Sequence, residues 1–292
     1  MVKSTVTECI AKIPSSKVTE IKMMLSTDAN KDKSIMLVEG IDDKMFFGFF
    51  IDDEKIEIDV LDSCFYMPDI LSLSNADTTL KDKVIGIKDA DFDHITGKSY
   101  ALNNLFVTDT HDWETMVISE TCECRVAMEG LERKEKGLFK QVMCHLENYS
   151  YLKLFNEIEV LNKGKDGIRF KGLILSKFYD GVNACELKKS LDAVKAHGNN
   201  NSLAHFPSES DVERIKHQYA GVNLCQLTCG HDLIHGLVCR LTKLKGRSPK
   251  VGYAEIERIF RSCCSNEILR ATNLYNQVDA WAQAHGTTVW AA

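Results

Sequence analysis

The sequence has few residues that break helices and strands, and it has no long apolar run. Only 4 of the 292 residues are proline, and no stretch approaches the ~20 apolar residues that a membrane-spanning helix needs. The segment Met1–Glu8 lacks the apolar centre of a secretory signal peptide. No internal repeat or low-complexity tract is evident. These absences disfavour membrane, secreted and repeat proteins, and we expect a globular cytoplasmic protein without a membrane partner.

Cysteine, in contrast, is frequent, with 11 copies. The count is odd, no export signal is evident, and several cysteines are close neighbours, as Cys122 is to Cys124 and Cys263 to Cys264. Proteins of reducing compartments seldom carry structural disulfides. We therefore expect reduced thiols that mostly pack as small apolar side chains, rather than a disulfide framework.

The net charge of -6 hides an uneven distribution along the chain. Residues 1–125 carry 24 acidic and 13 basic residues, whereas residues 126–292 carry 18 acidic and 23 basic ones. An acidic front half suits a cation site, and a basic back half suits an anion such as nucleic acid. A solvated basic face would produce the same pattern.

Strands and helices alternate in the front half of the sequence. The predicted strands are residues 34–38, 56–60, 84–87 and 105–107. Helical periodicity dominates beyond residue 130, over 138–154, 173–178, 211–219, 231–244 and 253–269. Alternating strands and helices imply a mostly parallel sheet covered on both faces. We expect an α/β domain over residues 1–128, followed by a mainly helical C-terminal domain over residues 129–292.

Two of the predicted strands end in acidic residues. Glu39 and Gly40 follow the first strand, and Asp89 and Asp91 follow the third. The carboxyl ends of parallel strands form the crevice where α/β proteins bind ligands. Carboxylates brought together there repel one another unless a cation lies between them, and such oxygen ligands suit Mg²⁺ or Mn²⁺. We predict a metal site with Glu39, Asp89 and Asp91 as ligands, and Gly40 as the residue that permits a tight turn.

The assignment of the second acidic cluster has an alternative. Asp89, Asp91 and Asp93 form two overlapping Asp-x-Asp pairs, and Asp89 is preferred because it directly follows the apolar strand. Other acids are candidates to support the site or to hold a second metal ion. These supporting candidates are Asp43, Asp93, Asp112 and Glu114.

The strand-Glu-Gly-helix element at Glu39 and the strand-Asp-x-Asp element at Asp89 resemble the two signatures of the Toprim fold of topoisomerases, bacterial primases and OLD-type nucleases. Segments 108–116 and 230–233 narrow the resemblance to the Toprim-related nuclease family that includes the effector of the PARIS anti-phage system. The resemblance covers the first 120 or so residues well and the back half only through scattered pieces.

This resemblance implies a Toprim-like catalytic domain and a metal-dependent endonuclease that acts as a toxic effector in anti-phage defence. Glu39 would then act as general acid/base or share the metal. His231 and Asp232 would face the active cleft or the substrate; the alternative, favoured by the local sequence, is that they only begin a helix after a turn at Gly230. The family also implies an ABC-type ATPase partner that restrains the nuclease, and it is compatible with a homodimer. It favours RNA, transfer RNA in particular, over DNA as the substrate.

The main alternative is a catalytically inactive Toprim-like scaffold that binds nucleic acid or a partner protein. An idle domain, however, has no reason to keep mutually repelling carboxylates. Topoisomerase activity needs a nucleophilic tyrosine in a separate DNA-gate domain. Primase activity needs a zinc ribbon and a longer polymerase core. None of these modules is evident in the sequence.

Two motifs that contain histidine have competing interpretations. His111 and Asp112 suggest an HD-type metal site, but Asp112 as a helix cap explains them without a metal. Zinc-capable residues also occur in one short segment, although their spacing matches no usual zinc finger. They are Cys225, Cys229, His231 and His235.

Basic residues concentrate in segments 163–171 and 240–250, where they are either phosphate contacts or solvated helix ends. The candidate nucleic-acid-binding residues are Lys163, Lys165, Arg169, Lys243 and Lys245.

Overall fold

The structure, a computed structural model, describes residues 2–61, 64–245 and 251–291, with the backbone alone described for residues 2–12 and 64. The chain forms two compact units, each discontinuous along the sequence. The first unit comprises residues 1–89, 99–109 and 266–292, and the second comprises residues 90–98 and 110–265. The boundary expected after residue 128 separates two domains that fold independently. The division into compact units does not test independent folding, so this boundary stays a prediction.

The first unit contains a four-stranded sheet in which all strands are parallel. The strands are β1 (Ser34–Val38), β2 (Ile56–Val60), β3 (Val84–Lys88) and β4 (Leu105–Val107). Their order in the sheet is β2-β1-β3-β4, and Met36 of β1 lies between Ile58 and Ile85 of its two neighbours. Every residue of β1 and β3 is buried, as expected for a parallel sheet covered on both faces. The predicted strands and the α/β class are confirmed.

Helices make up most of the remaining described chain. In chain order they are α1 (Val2–Leu25), α2 (Ile41–Phe47), α3 (Met67–Ala76), α4 (Asp93–Thr96), α5 (Trp113–Met116), α6 (Glu120–Leu131), α7 (Leu138–Phe155), α8 (Leu187–Lys195), α9 (Glu209–Gln218), α10 (Leu224–Leu227), α11 (Gly230–Lys245), α12 (Tyr253–Cys263), α13 (Asn266–Arg270) and α14 (Asn273–Ala284). No described helix is both long enough and apolar enough to cross a membrane.

Helices α1 and α3 cover one face of the sheet in the first unit. Ile21 of α1 and Leu71 of α3 pack with Ile35 of β1 in one buried cluster. Helix α3 approaches β3 closely at Gly86, where a Cβ atom would lie 2.7 Å from the Met67 sulfur. The central strands are therefore held rigidly, which matters because the candidate site lies at their ends.

Helices α7 and α11 pack together in the second unit. Leu146 of α7 and Leu237 of α11 are fully buried. Gly236 permits the close approach, because a Cβ atom there would lie 2.6 Å from Val142 Cγ1. The prediction of a helical region beyond residue 130 is confirmed.

Two predicted helices differ from the structure. Residues 173–178 contain only the 3-10 turn Leu175–Lys177, and the segment 253–269 is interrupted after Cys263. Beyond this break, residues 266–292 belong to the first unit rather than the second. Long-range contacts join this segment to the first unit; in one of them the Asp109 carboxylate accepts the N–H groups of Asn273 and Leu274 at 2.7 and 2.8 Å.

Candidate functional site

Glu39 and Asp89 lie side by side at the carboxyl ends of two central strands in the first unit. They follow β1 and β3, which are neighbouring parallel strands. Glu39 Oε1 accepts a hydrogen bond from the backbone N–H of Asp89 at 3.0 Å, and both residues are half-buried. The expectation that these two acids follow adjacent strands is confirmed.

Asp43 fixes the turn that follows Glu39. Its Oδ2 accepts the Gly40 N–H at 2.8 Å, and its side chain is buried in the first turn of α2. Gly40 has an extended backbone with φ -135°, and a Cβ atom there would make only an ordinary contact, 3.7 Å from Asp43 Oδ2. The turn therefore does not depend on glycine, contrary to our expectation. Asp43 acts as a helix-capping group that positions Glu39.

Lys88 is a cation beside this pair that the sequence analysis does not single out. It is the last residue of β3 and is only 5% exposed. Its Nζ donates to the backbone carbonyl of Asp89 and lies 5.7 Å from the centre of the Tyr100 ring. A buried ammonium group reduces the repulsion between nearby carboxylates. A lysine in an otherwise apolar strand is the sequence signal that marks it.

Asp91 lies in the second unit, where it contacts His111. Its N–H donates to the His111 carbonyl at 2.8 Å, and its Oδ1 lies 4.0 Å from His111 Nε2. Its φ of 48° falls in the left-handed region, which is uncommon for any residue except glycine. Conformations of this kind cluster at functional sites, where the surrounding structure maintains them.

Asp93 also lies in the second unit, but it is buried at the start of α4. Its carboxylate is 3.6 Å from Lys98 Nζ, and its N–H donates to the Ala90 carbonyl. Because Asp93 has this counter-ion and little exposure, it is less suited to bind a metal ion than Asp91.

Asp112 joins two helix starts in the second unit. It is the N-cap of α5, where Oδ1 accepts the Thr115 N–H at 3.0 Å. Its Oδ2 accepts the Gly230 N–H at the start of α11, and a Cβ atom on Gly230 would lie 2.7 Å from Asp112 Oδ1. Both oxygens are thus engaged by the backbone, and the interpretation of Asp112 as a helix cap is confirmed.

Glu114 and His231 form a contact between a buried acid and an exposed base. Glu114 is 1% exposed, and its Oε1 lies 3.3 Å from His231 Nε2, whereas the His231 side chain is 53% exposed. The His231 ring also lies 5.8 Å from the Tyr253 ring. Segments 108–116 and 230–233, which are far apart in sequence, therefore meet at these residues.

Asp232 pairs with Lys153 of α7. Lys153 Nζ also lies 5.4 Å from the centre of the Tyr149 ring and 5.7 Å from that of the Phe170 ring. Burial disfavours the charged ammonium group, but the Asp232 carboxylate outweighs it and raises the pKa of Lys153 above its usual range. Asp232 is thus half of a partly buried ion pair, and Lys153 is a second cation that the sequence analysis missed.

Among the residues that the structure describes, His111, Asp112 and Cys229 place metal-ligand atoms within 4.8 Å of one another. Asp112 already accepts backbone hydrogen bonds with both oxygens, as described above. Burial raises the pKa of the Cys229 thiol well above its usual range, which opposes the thiolate form that binds metals. In the predicted zinc-capable segment, His235 instead packs its ring 4.6 Å from that of Tyr253. Neither group has the character of a preformed metal site.

The basic residues predicted to bind phosphate have unequal environments in the second unit. Lys163 pairs with Glu159, and Lys245 Nζ lies 3.2 Å from Glu132 Oε1. Residues 246–250 of the second basic segment lie outside the described residues. Lys163, Lys165, Arg169 and Lys243 are exposed, and Lys245 is half-buried. Lys165, Arg169 and Lys243 are the better phosphate contacts, because they are exposed and Lys163 is already paired with Glu159.

Comparison of the sequence with protein-family models and with curated proteins finds no match.

Proposed function

We infer that the protein is a metal-dependent endonuclease of the Toprim type, with Glu39 and Asp89 at its active centre. The observation that carries this proposal is the 3.0 Å hydrogen bond from the Asp89 N–H to Glu39 Oε1 at the ends of adjacent parallel strands. It brings two carboxylate-bearing residues to the edge where α/β sheets bind ligands.

The two side chains fit Mg²⁺ or Mn²⁺ by their chemistry. Both offer carboxylate oxygens, which such ions prefer, and both are half-buried, which leaves room for the waters that Mg²⁺ retains. A bound ion would polarise the scissile phosphate and lower the pKa of a water molecule. Asp91 as a further ligand stays a prediction from the sequence.

The residues around the pair have separate roles in this proposal. Glu39 takes the proton from the attacking water, and its hydrogen bond to the Asp89 N–H orients the carboxylate for that transfer. Lys88 donates to the backbone carbonyl of Asp89 and so holds a cation next to that residue. Asp43 fixes the turn between β1 and α2 through the Gly40 N–H.

RNA, transfer RNA in particular, is the proposed substrate in preference to DNA. The support for RNA is the resemblance of segments 108–116 and 230–233 to the nuclease family named above. Exposed Lys165, Arg169 and Lys243 supply phosphate contacts in the second unit. On the same resemblance, we propose a toxic cytoplasmic effector of anti-phage defence that an ABC-type ATPase holds inactive.

A cleavage assay tests the proposal. Purified protein is incubated with total RNA or with DNA, in Mg²⁺ or in chelator, beside Glu39→Gln and Asp89→Asn. Asp53→Asn is the matched control, because Asp53 is an exposed acid of the same unit. We expect Mg²⁺-dependent RNA cleavage by the wild type and Asp53→Asn, and none by the two site variants. Cleavage that persists in chelator or in Glu39→Gln would contradict the proposal.

An inactive scaffold is the second candidate, and Lys88 is the observation that favours it. Its buried ammonium group lies next to Asp89, and a neighbouring cation favours an ionised carboxylate without a metal ion. A scaffold would bind RNA without cleaving it, with the same affinity in wild type and Glu39→Gln. Calorimetric titration with Mn²⁺ separates the two, since only the nuclease proposal expects Mn²⁺ binding that both site variants weaken.

A further inference from the structure

Two helices of the second unit bring a pair of cysteines together. Cys122 lies in the first turn of α6, and Cys263 is the last residue of α12. Arg125, one helical turn after Cys122 on α6, reaches Cys263 Sγ, and the two thiols are close enough to influence each other's pKa. Both are free cysteines. Cys122 is fully buried, whereas Cys263 is 8% exposed. The two cysteines are thus neighbours, with one side chain nearer to solvent than the other.

Arg125 lies beside this pair, one helical turn after Cys122. Its Nη1 is 3.5 Å from Cys263 Sγ and 3.4 Å from the Ser262 carbonyl oxygen, so the guanidinium group is directed at the end of α12. The neighbouring Cys122 thiol and the Arg125 charge hold the pKa of Cys263 below its usual range. Neighbouring cations of this kind mark reactive cysteines. Cys263 is therefore the nucleophilic sulfur, and Cys122 keeps its proton.

We propose that Cys122 and Cys263 are a redox modification site, which a hydroperoxide converts into a reversible disulfide between α6 and α12. The Cys263 thiolate attacks one peroxide oxygen, the O–O bond breaks, and Cys263 becomes a sulfenic acid while hydroxide leaves. The Cys122 sulfur then attacks the Cys263 sulfur, the S–S bond forms, and the S–O bond breaks. The Cys122 proton leaves with that oxygen as water. A dithiol reverses the reaction by thiol–disulfide exchange.

The adjacent cysteine is a poorer partner for the same reaction. Burial raises the pKa of Cys264 to about 12, and its Sγ contacts the Ser265 carbonyl at 3.8 Å. A disulfide between Cys122 and Cys263 would restrain α12. The first residue of this helix, Tyr253, packs its ring against His231.

Peptide mapping of the full-length protein tests the proposal. Reduced protein is treated with a small excess of hydrogen peroxide and then alkylated. Cleavage after Glu123 separates Cys122 from Cys124, and fragmentation of the linked peptides distinguishes Cys263 from Cys264. We expect a Cys122–Cys263 peptide, the loss of two free thiols, and recovery of both with dithiothreitol.

Variants make the test specific. Cys144→Ser is the control, because Cys144 is exposed, and it should form the same linked peptide. Cys122→Ser and Cys263→Ser should form none, and Arg125→Met should slow disulfide formation about tenfold by removing the charge that favours the thiolate. A Cys263–Cys264 link, irreversible oxidation of Cys263 without a link, or no loss of thiols would overturn the proposal. The wild-type peptide map decides even if a variant fails to fold.

Discussion

The acids of the two units use the same chemical group in opposite ways. Glu39 and Asp89 in the first unit are half-buried and lie at the ends of adjacent strands. Asp112 and Glu114 in the second unit are 3% and 1% exposed. Asp112 gives both oxygens to the backbone, and Glu114 contacts His231. Glu39 differs from Asp112 in being more exposed and in giving one oxygen rather than both to the backbone.

The largest effect is expected at Glu39, where a substitution should abolish cleavage but leave the protein folded. Glu39→Gln should lower the rate of RNA cleavage about 10²–10⁴-fold, because it removes the proposed proton acceptor. Its midpoint of thermal unfolding should stay close to that of the wild type, since the amide oxygen can still accept the Asp89 N–H. Initial rates and a thermal melt measure both quantities. A variant that unfolds instead would make Glu39 a structural acid like Asp112.

The opposite outcome is expected at Asp112. Asp112→Ala should lower the free energy of unfolding by about 2–4 kcal/mol, because it removes an N-cap and leaves the buried Gly230 N–H without its acceptor. Urea unfolding followed by circular dichroism measures the change. A loss of activity in fully folded Asp112→Ala protein would contradict the structural role.

A pair of glycine substitutions tests the same contrast with a smaller effect. Gly230→Ala should destabilise the protein by about 1–3 kcal/mol, because the new Cβ would lie 2.4 Å from Glu114 Cβ. Gly40→Ala is the matched change in the first unit, where the backbone is extended and the new contact is 3.7 Å. It should change the free energy of unfolding by less than about 1 kcal/mol. Equal effects in the two variants would contradict the packing described for both turns.

The smallest effect concerns protons in the second unit. Burial lowers the pKa of His235 and of His145 below the usual 6.5. The unfolded chain then binds more protons than the folded one just below pH 6.5, so the stability should fall as the pH drops through this range. His235→Asn should reduce that fall slightly, which urea unfolding at pH 7 and pH 5.5 would detect. A steeper fall in the variant would contradict the lowered pKa.

Local sequence patterns were sufficient to predict the sheet. They did not predict that residues 266–292 belong to the same unit as the sheet. All four strands are short apolar or alternating segments, and each lies within a residue of its predicted position. Residues 266–292 belong to the first unit through long-range contacts, such as that of Asp109 with Asn273, which is 164 residues away. No periodicity or composition within either segment reports such a contact.

The candidate site also contains some residues that the sequence predicts and others that it does not. Glu39 and Asp89 were predictable because each directly follows an apolar strand, and parallel strands share one carboxyl edge. Lys88 and Lys153 were missed because a lysine within an apolar run does not reveal its partner. Cys122 likewise has a partner far along the chain. The positions of Glu39 and Asp89 along the chain were therefore enough to predict the two acids. The contacts of Lys88, Lys153 and Cys122 are visible only in the structure.

The contact between Asp109 and Asn273 has a consequence for the timing of synthesis. Strands β1 to β4 leave the ribosome well before residues 266–292, which complete their unit. The Asp52 N–H, for example, donates to the Val289 carbonyl at 2.9 Å. Because compact units generally fold as wholes, a nascent chain holds Glu39 and Asp89 in an unfinished unit while the intervening residues are translated. Residues 1–109 and residues 266–292 are thus synthesised far apart in time, but parts of both segments are needed together in one unit.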